Sequence, residues 1–139
     1  MQLHRGRLID HIQLVVADLP AAKRFYAAVL GALGIPRGGE ADDHVWYDEL
    51  FISNAESKAA LGQLTGRVHL AFQAPDRGAV ERFHTAGLAA GGRDNGAPGE
   101  RPYHPGYYGA FLLDPEGNNV EAVFHGPAKF SARSVVIDF

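Results

Sequence analysis

Three ionisable side chains stand inside runs that are largely apolar: His11, His69 and Glu121. A carboxylate in the middle of Asn119-Val120-Glu121-Ala122-Val123 is costly unless it is paired, hydrogen-bonded or bound to a cation. Two neutral imidazoles and one carboxylate are a ligand set for Fe(II), Mn(II), Zn(II) or Ni(II) that leaves coordination positions open. Open positions matter because a substrate oxygen or dioxygen must reach the metal for Lewis-acid chemistry. The competing reading is two packed core histidines and a glutamate paired with an arginine such as Arg67 or Arg101.

A repeat favours the first reading. With His69 laid over His11, an offset of 58 residues, Asp18 falls on Asp76, Ala21 on Ala79, Arg24 on Arg82 and Phe25 on Phe83. Ala28 then falls on Ala86, Leu30 on Leu88 and Gly34 on Gly92. Such a periodic match marks a duplicated supersecondary unit, and it puts two imidazoles at equivalent places.

The elements that must position these residues follow from periodicity and turn chemistry. Residues 8–17 read as a buried strand containing His11. Asp18 is an N-cap and Pro20 sits in the first turn of a helix running to about Leu30, stopped by Gly31 and Gly34. Short strands are expected at 44–47 and 50–53, with one more hidden in the loop at 37–43, giving a β-α-β-β unit. Residues 54–66 form a linker or short helix. The second unit begins with a strand at 68–73 and a helix at about 77–88 capped by Asp76. Residues 91–109, rich in Gly and Pro, read as loop with at most short extended pieces. Strands at 109–113 and 119–124 flank the turn Asp114-Pro115-Glu116-Gly117-Asn118. The tail at 131–139 is a further strand or a docking arm.

Composition bounds the rest. The 139 residues, 46% apolar and 21% charged, describe one ordinary globular domain. A formal net charge of −3 without a Lys/Arg run gives no footprint for nucleic acid or anionic membrane. The lack of cysteine removes disulfides, thiolate metal sites and thiol nucleophiles. The N-terminus does not read as a signal peptide, and no apolar run reaches membrane-helix length. A cytoplasmic protein is expected.

The chain resembles the vicinal oxygen chelate superfamily of glyoxalase I, fosfomycin-resistance proteins, extradiol dioxygenases and bleomycin-resistance proteins. The resemblance rests on Ile9-Asp10-His11-Ile12, Asp18-Leu19-Pro20, Phe25-Tyr26 and Leu30-Gly31. It continues in Val68-His69-Leu70-Ala71-Phe72 and, most specifically, in residues 111–121. It implies an α+β fold of two tandem βαβββ modules forming a cupped mixed sheet, at 7–53 and 67–125, with a linker at 54–66 and a tail at 126–139. It also implies that His11, His69 and Glu121 ligate a divalent metal (Fe, Mn, Zn or Ni). Small relatives form homodimers with shared sites, so His11 of one chain is expected to join His69 and Glu121 of another. Glyoxalase I-like members carry a further glutamate on the last strand of the first module. Here Phe51 falls at that position, and Glu49 reaches it only through a register slip.

The loop 101–108 leads into the strand beside Glu121. Tyr103, His104 and Tyr107 are therefore candidate general acids or oxyanion donors. Arg101, Tyr108, Trp46 and Phe51 are candidate walls of a substrate pocket. His125, four residues beyond Glu121 at ~3.4 Å per residue, lies too far along the strand to share its ion. His4 and His84 carry no hypothesis. The function expected is a metal-dependent lyase, isomerase, thiol transferase or dioxygenase acting on a small oxygen-chelating substrate. The alternative is a metal-free protein that sequesters a drug or metabolite, of the bleomycin-resistance type.

Overall fold

The computed structural model describes residues 2–5, for the backbone, and residues 9–138. The expected strand start at residue 8, the His4 side chain and Phe139 lie outside the described residues. The elements run β1 (Gln2–Arg5), β2 (Ile12–Val15), α1 (Leu19–Ala32), β3 (Gly39–Ala41), β4 (His44–Tyr47) and β5 (Leu50–Ser53). After a 3-10 turn at Lys58–Ala60 come β6 (His69–Gln73), α2 (Arg77–Ala89), β7 (Arg93–Glu100), β8 (Tyr108–Leu113), β9 (Asn119–Phe124) and β10 (Val135–Asp138).

Two four-stranded mixed sheets have the same strand order, β2-β5-β4-β3 and β6-β9-β8-β7, so the sequence repeat is a repeat of topology. In each, the first strand pairs in parallel with the last and the others are antiparallel. The registers also correspond. Gln13 faces Phe51 as Ala71 faces Glu121. Phe51 therefore occupies the position equivalent to Glu121, and Glu49 lies in the β4–β5 turn, where its carbonyl accepts from the Ile12 amide.

Close contacts divide the chain into two compact units. The first holds β1 to β5 and β10; the second holds α1 beyond Leu19, α2 and β6 to β9. In the first, β1 and β10 form a separate antiparallel pair, which places the C-terminal tail in a strand. In the second, both helices cover one face of the sheet. Phe25, Val29, Val80, Phe83, Leu112 and Val120 are all buried there, each large side chain contributing about 1.5–3 kcal/mol. Gly87 lets this layer close, because a Cβ there would stand 2.2 Å from Leu112 and 3.0 Å from Val29.

Two expectations need correction. The strand β2 begins at Ile12, so His11 precedes the ladder instead of lying inside it. The segment expected as loop contains β7, eight residues long. Its Gly and Pro content misled because β7 is an edge strand. Register shifts between Asp94 and Gly96 and between Gly96 and Gly99 accommodate Pro98 and the glycines, which an edge or a bulge tolerates. Among the described residues no helix is long and apolar enough to cross a membrane.

The Asp114–Asn118 turn is tied to α1. The Tyr26 hydroxyl, fully buried, donates to Asp114 Oδ2 at 2.6 Å. Burial, and then the neighbouring Asp114 carboxylate, hold the Tyr26 phenol well above its ordinary value of 10.0. The unfolded chain therefore ionises this phenol first, and the native state loses stability as pH rises past 10. Urea melts between pH 8 and 11 are expected to show that decline, and Tyr26→Phe to make it shallower.

Candidate functional site

The second sheet has one face under the helices and one free of them. Alternation puts His69, Ala71 and Gln73 of β6, Glu121 of β9, and Gly109 and Phe111 of β8 on the free face. Glu121 is nevertheless only 3% exposed. Its Oε2 lies 3.0 Å from His69 Nε2, and its Oε1 accepts a short hydrogen bond from the Tyr107 hydroxyl. Gly109 makes room for this, since a Cβ there would stand 3.2 Å from both Glu121 Oε1 and the Tyr107 ring. Burial first, and then the bond to Glu121, push the Tyr107 phenol above its ordinary range, so it remains a donor at neutral pH.

Aromatic rings surround Tyr107. Tyr103, His104 and His125 each meet it edge-on, with centroids 4.9, 5.3 and 5.5 Å away. His104 Nδ1 lies 2.9 Å from the Pro105 carbonyl, an acceptor, so that nitrogen carries the proton. His104 Nε2 then accepts from His125 Nδ1 at 2.8 Å. His125 thus belongs to the site's surroundings, which its distance along β9 had obscured. Its signal in the sequence was glycine: Gly106 and Gly126 both take positive φ, and a Cβ on Gly126 would stand 3.2 Å from Gly106. That close approach folds the 101–107 loop back onto the segment after β9.

The remaining candidates are placed elsewhere. Tyr108 lies on the helix-covered face, where its hydroxyl donates to Glu81 of α2 and Arg77 sits over its ring. Trp46 and Phe51 pair across β4 and β5 of the first sheet, and His44 stacks on Phe51 at 4.8 Å. His11 belongs to the first unit, is largely exposed and pairs with Asp10 at 2.7 Å. Among the described residues of one chain, no three His, Cys, Asp or Glu side chains converge as a metal group.

The sequence profile of the Glyoxalase/Bleomycin resistance protein/Dioxygenase superfamily matches residues 8–122. The chain belongs to that superfamily. A glyoxalase/bleomycin resistance protein from Albidiferax ferrireducens T118 is 31% identical, with a TM-score of 0.68, over 84% of this chain and 97% of that one. A glyoxalase-related enzyme from Fulvimarina pelagi shares the fold at 19% identity and a TM-score of 0.72, over 95% of this chain and 98% of the other. Lactoylglutathione lyase from Agrobacterium tumefaciens shares it at 22% identity and a TM-score of 0.62, over 85% and 93%. No curated protein matches significantly. The superfamily's tandem βαβββ architecture is the one described above.

Proposed function

We propose that this superfamily member is a divalent-metal-dependent enzyme acting on a small oxygen-chelating molecule, and that its site is completed in a homodimer. The observation that carries this is the His69–Glu121 pair. Two ligands sharing one ion, each about 2.1 Å from it, would stand about 3 to 3.5 Å apart. His69 Nε2 and Glu121 Oε2 are 3.0 Å apart on a sheet face free of helices. The donor set, imidazole nitrogen and carboxylate oxygen, suits Fe, Mn, Zn or Ni. The third ligand would be His11 of a second copy. A bound ion would polarise a substrate oxygen and stabilise negative charge on it.

The chain's own groups have distinct tasks in this reading. Tyr107 holds Glu121 Oε1, so the carboxylate presents Oε2 beside His69. Tyr103 and His104 pack edge-on against the Tyr107 ring and so help to hold its hydroxyl on the carboxylate. Phe51 standing at the Glu121-equivalent position leaves no second glutamate for a proton shuttle, which favours chemistry other than glutathione isomerisation.

Metal content of protein purified without added metal or chelator tests this, read beside His69→Ala and with sedimentation for oligomeric state. Near-stoichiometric metal on a dimer, lost in the variant, is the expected result. A protein that takes up no metal after reconstitution, and binds a ligand equally after chelation, would instead be a sequestering module.

A further inference from the structure

We infer that Arg101 is the anion-recognising residue of this site, so that the substrate carries a carboxylate remote from its metal-chelating oxygens. The inference rests on the metal reading only for the position of the chelating end.

Arg101 follows β7, on the face shared by Gly99, Phe111 and Glu121, whereas its neighbour Glu100 turns to the helix side and pairs with Arg77 at 2.8 Å. The arginines at 37, 77 and 82 each have a carboxylate within 4 Å. Arg101 does not, among the described residues; Arg24, Arg67, Arg93 and Arg133 do not either, and what sets Arg101 apart is its place beside Phe111. Its guanidinium instead donates to two main-chain carbonyls, Ala97 at 2.7 Å and Glu100 at 3.2 Å. Of five N–H donors, these bonds occupy two, and among the described residues no carboxylate lies within ion-pair distance of the group. The group is held in place: it lies 5.4 Å from the centre of the Phe111 ring. Glycines before it leave room: a Cβ at Gly99 would stand 3.0 Å from the guanidinium, and one at Gly96 3.0 Å from the Phe111 ring.

Phe111 also meets His69, with centroids 6.1 Å apart, and faces Glu121 across the strand pair. One aromatic ring therefore separates the ligand pair from a fixed, unpaired guanidinium. A molecule lying across Phe111 can chelate at one end and form a planar charge-assisted contact with arginine at the other. A guanidinium carrying no ion pair at such a place is a poor stabiliser of the fold and a ready receptor for a carboxylate.

The test is calorimetric titration of Mn(II)-loaded protein with malate, a 2-hydroxy acid bearing a second carboxylate, and with lactate, which lacks it. The native protein is expected to bind malate at least about 10-fold more tightly, the worth of one hydrogen-bonded charge pair. Arg101→Met should erase that preference without changing lactate affinity, and Arg101→Lys should restore part of it. A native protein without the preference, or a preference that survives in Arg101→Met, overturns the proposal. Metal uptake is read separately on each sample. Preference for malate in a protein that holds no metal would sink the metal reading and leave the anion site standing.

Discussion

Replacing Glu121 by alanine is expected to weaken Mn(II) or Zn(II) binding by more than about 100-fold, because even groups that only orient a ligand cost 10- to 100-fold when lost. The same change should alter the stability of the metal-free protein by no more than about 1 kcal/mol. Two opposed effects cause this near-cancellation. Removing Glu121 relieves a carboxylate that is 3% exposed and, among the described residues, has no ion-pair partner other than His69, which is favourable. It also leaves the Tyr107 hydroxyl without its acceptor, which is unfavourable. Glu121→Gln keeps the shape and an acceptor oxygen, so it should lose metal affinity with still less change in stability. If Glu121 were only a hydrogen-bond hub for His69 and Tyr107, the pattern would invert. Alanine would then cost about 1–3 kcal/mol, and metal affinity would not move. Competition with a chromogenic chelator and urea melts on one set of samples distinguish the two.

The parts legible in the sequence were those set by local chemistry and by repetition. Asp76 caps α2 through the Ala79 amide as its residue type requires, and β9 begins and ends at Asn119 and Phe124 as expected. The repeat placed Phe51 at the position equivalent to Glu121, and the registers agree, because register is fixed when one sheet face is buried. Long-range closure was less legible. β7 was hidden because glycine and proline mark loops on average, and only its pairing with β8 makes an edge strand of it. The His104–His125 pair was hidden for a related reason. It depends on a loop returning across a glycine–glycine contact, which spacing along β9 does not encode. Tyr108 was drawn to the pocket by its neighbours in sequence, although alternation places it beside Ala110 and Leu112 under α2.

Asp114→Ala is expected to destabilise the protein by about 3–5 kcal/mol, the loss of several net hydrogen bonds of about 1 kcal/mol each plus the donors left buried. Asp114 is 2% exposed. Its Oδ1 accepts from the Glu116 and Asn118 amides at 2.9 and 2.8 Å. Its Oδ2 accepts from the Asn118 side chain at 2.9 Å and from the Tyr26 hydroxyl. The effect reaches further, because Asn118 Oδ1 takes the Val68 amide and the Asn119 amide donates to the Val68 carbonyl. The turn thus fastens the start of β6, which carries His69, to the start of β9, which carries Glu121. Tyr26→Phe removes one of these bonds and should cost about 1–2 kcal/mol, with a coupling to Asp114 visible in a double-mutant cycle. Urea denaturation at pH 7 measures all three variants. A small loss for Asp114→Ala would mean that the turn holds itself through its backbone bonds and Gly117 alone.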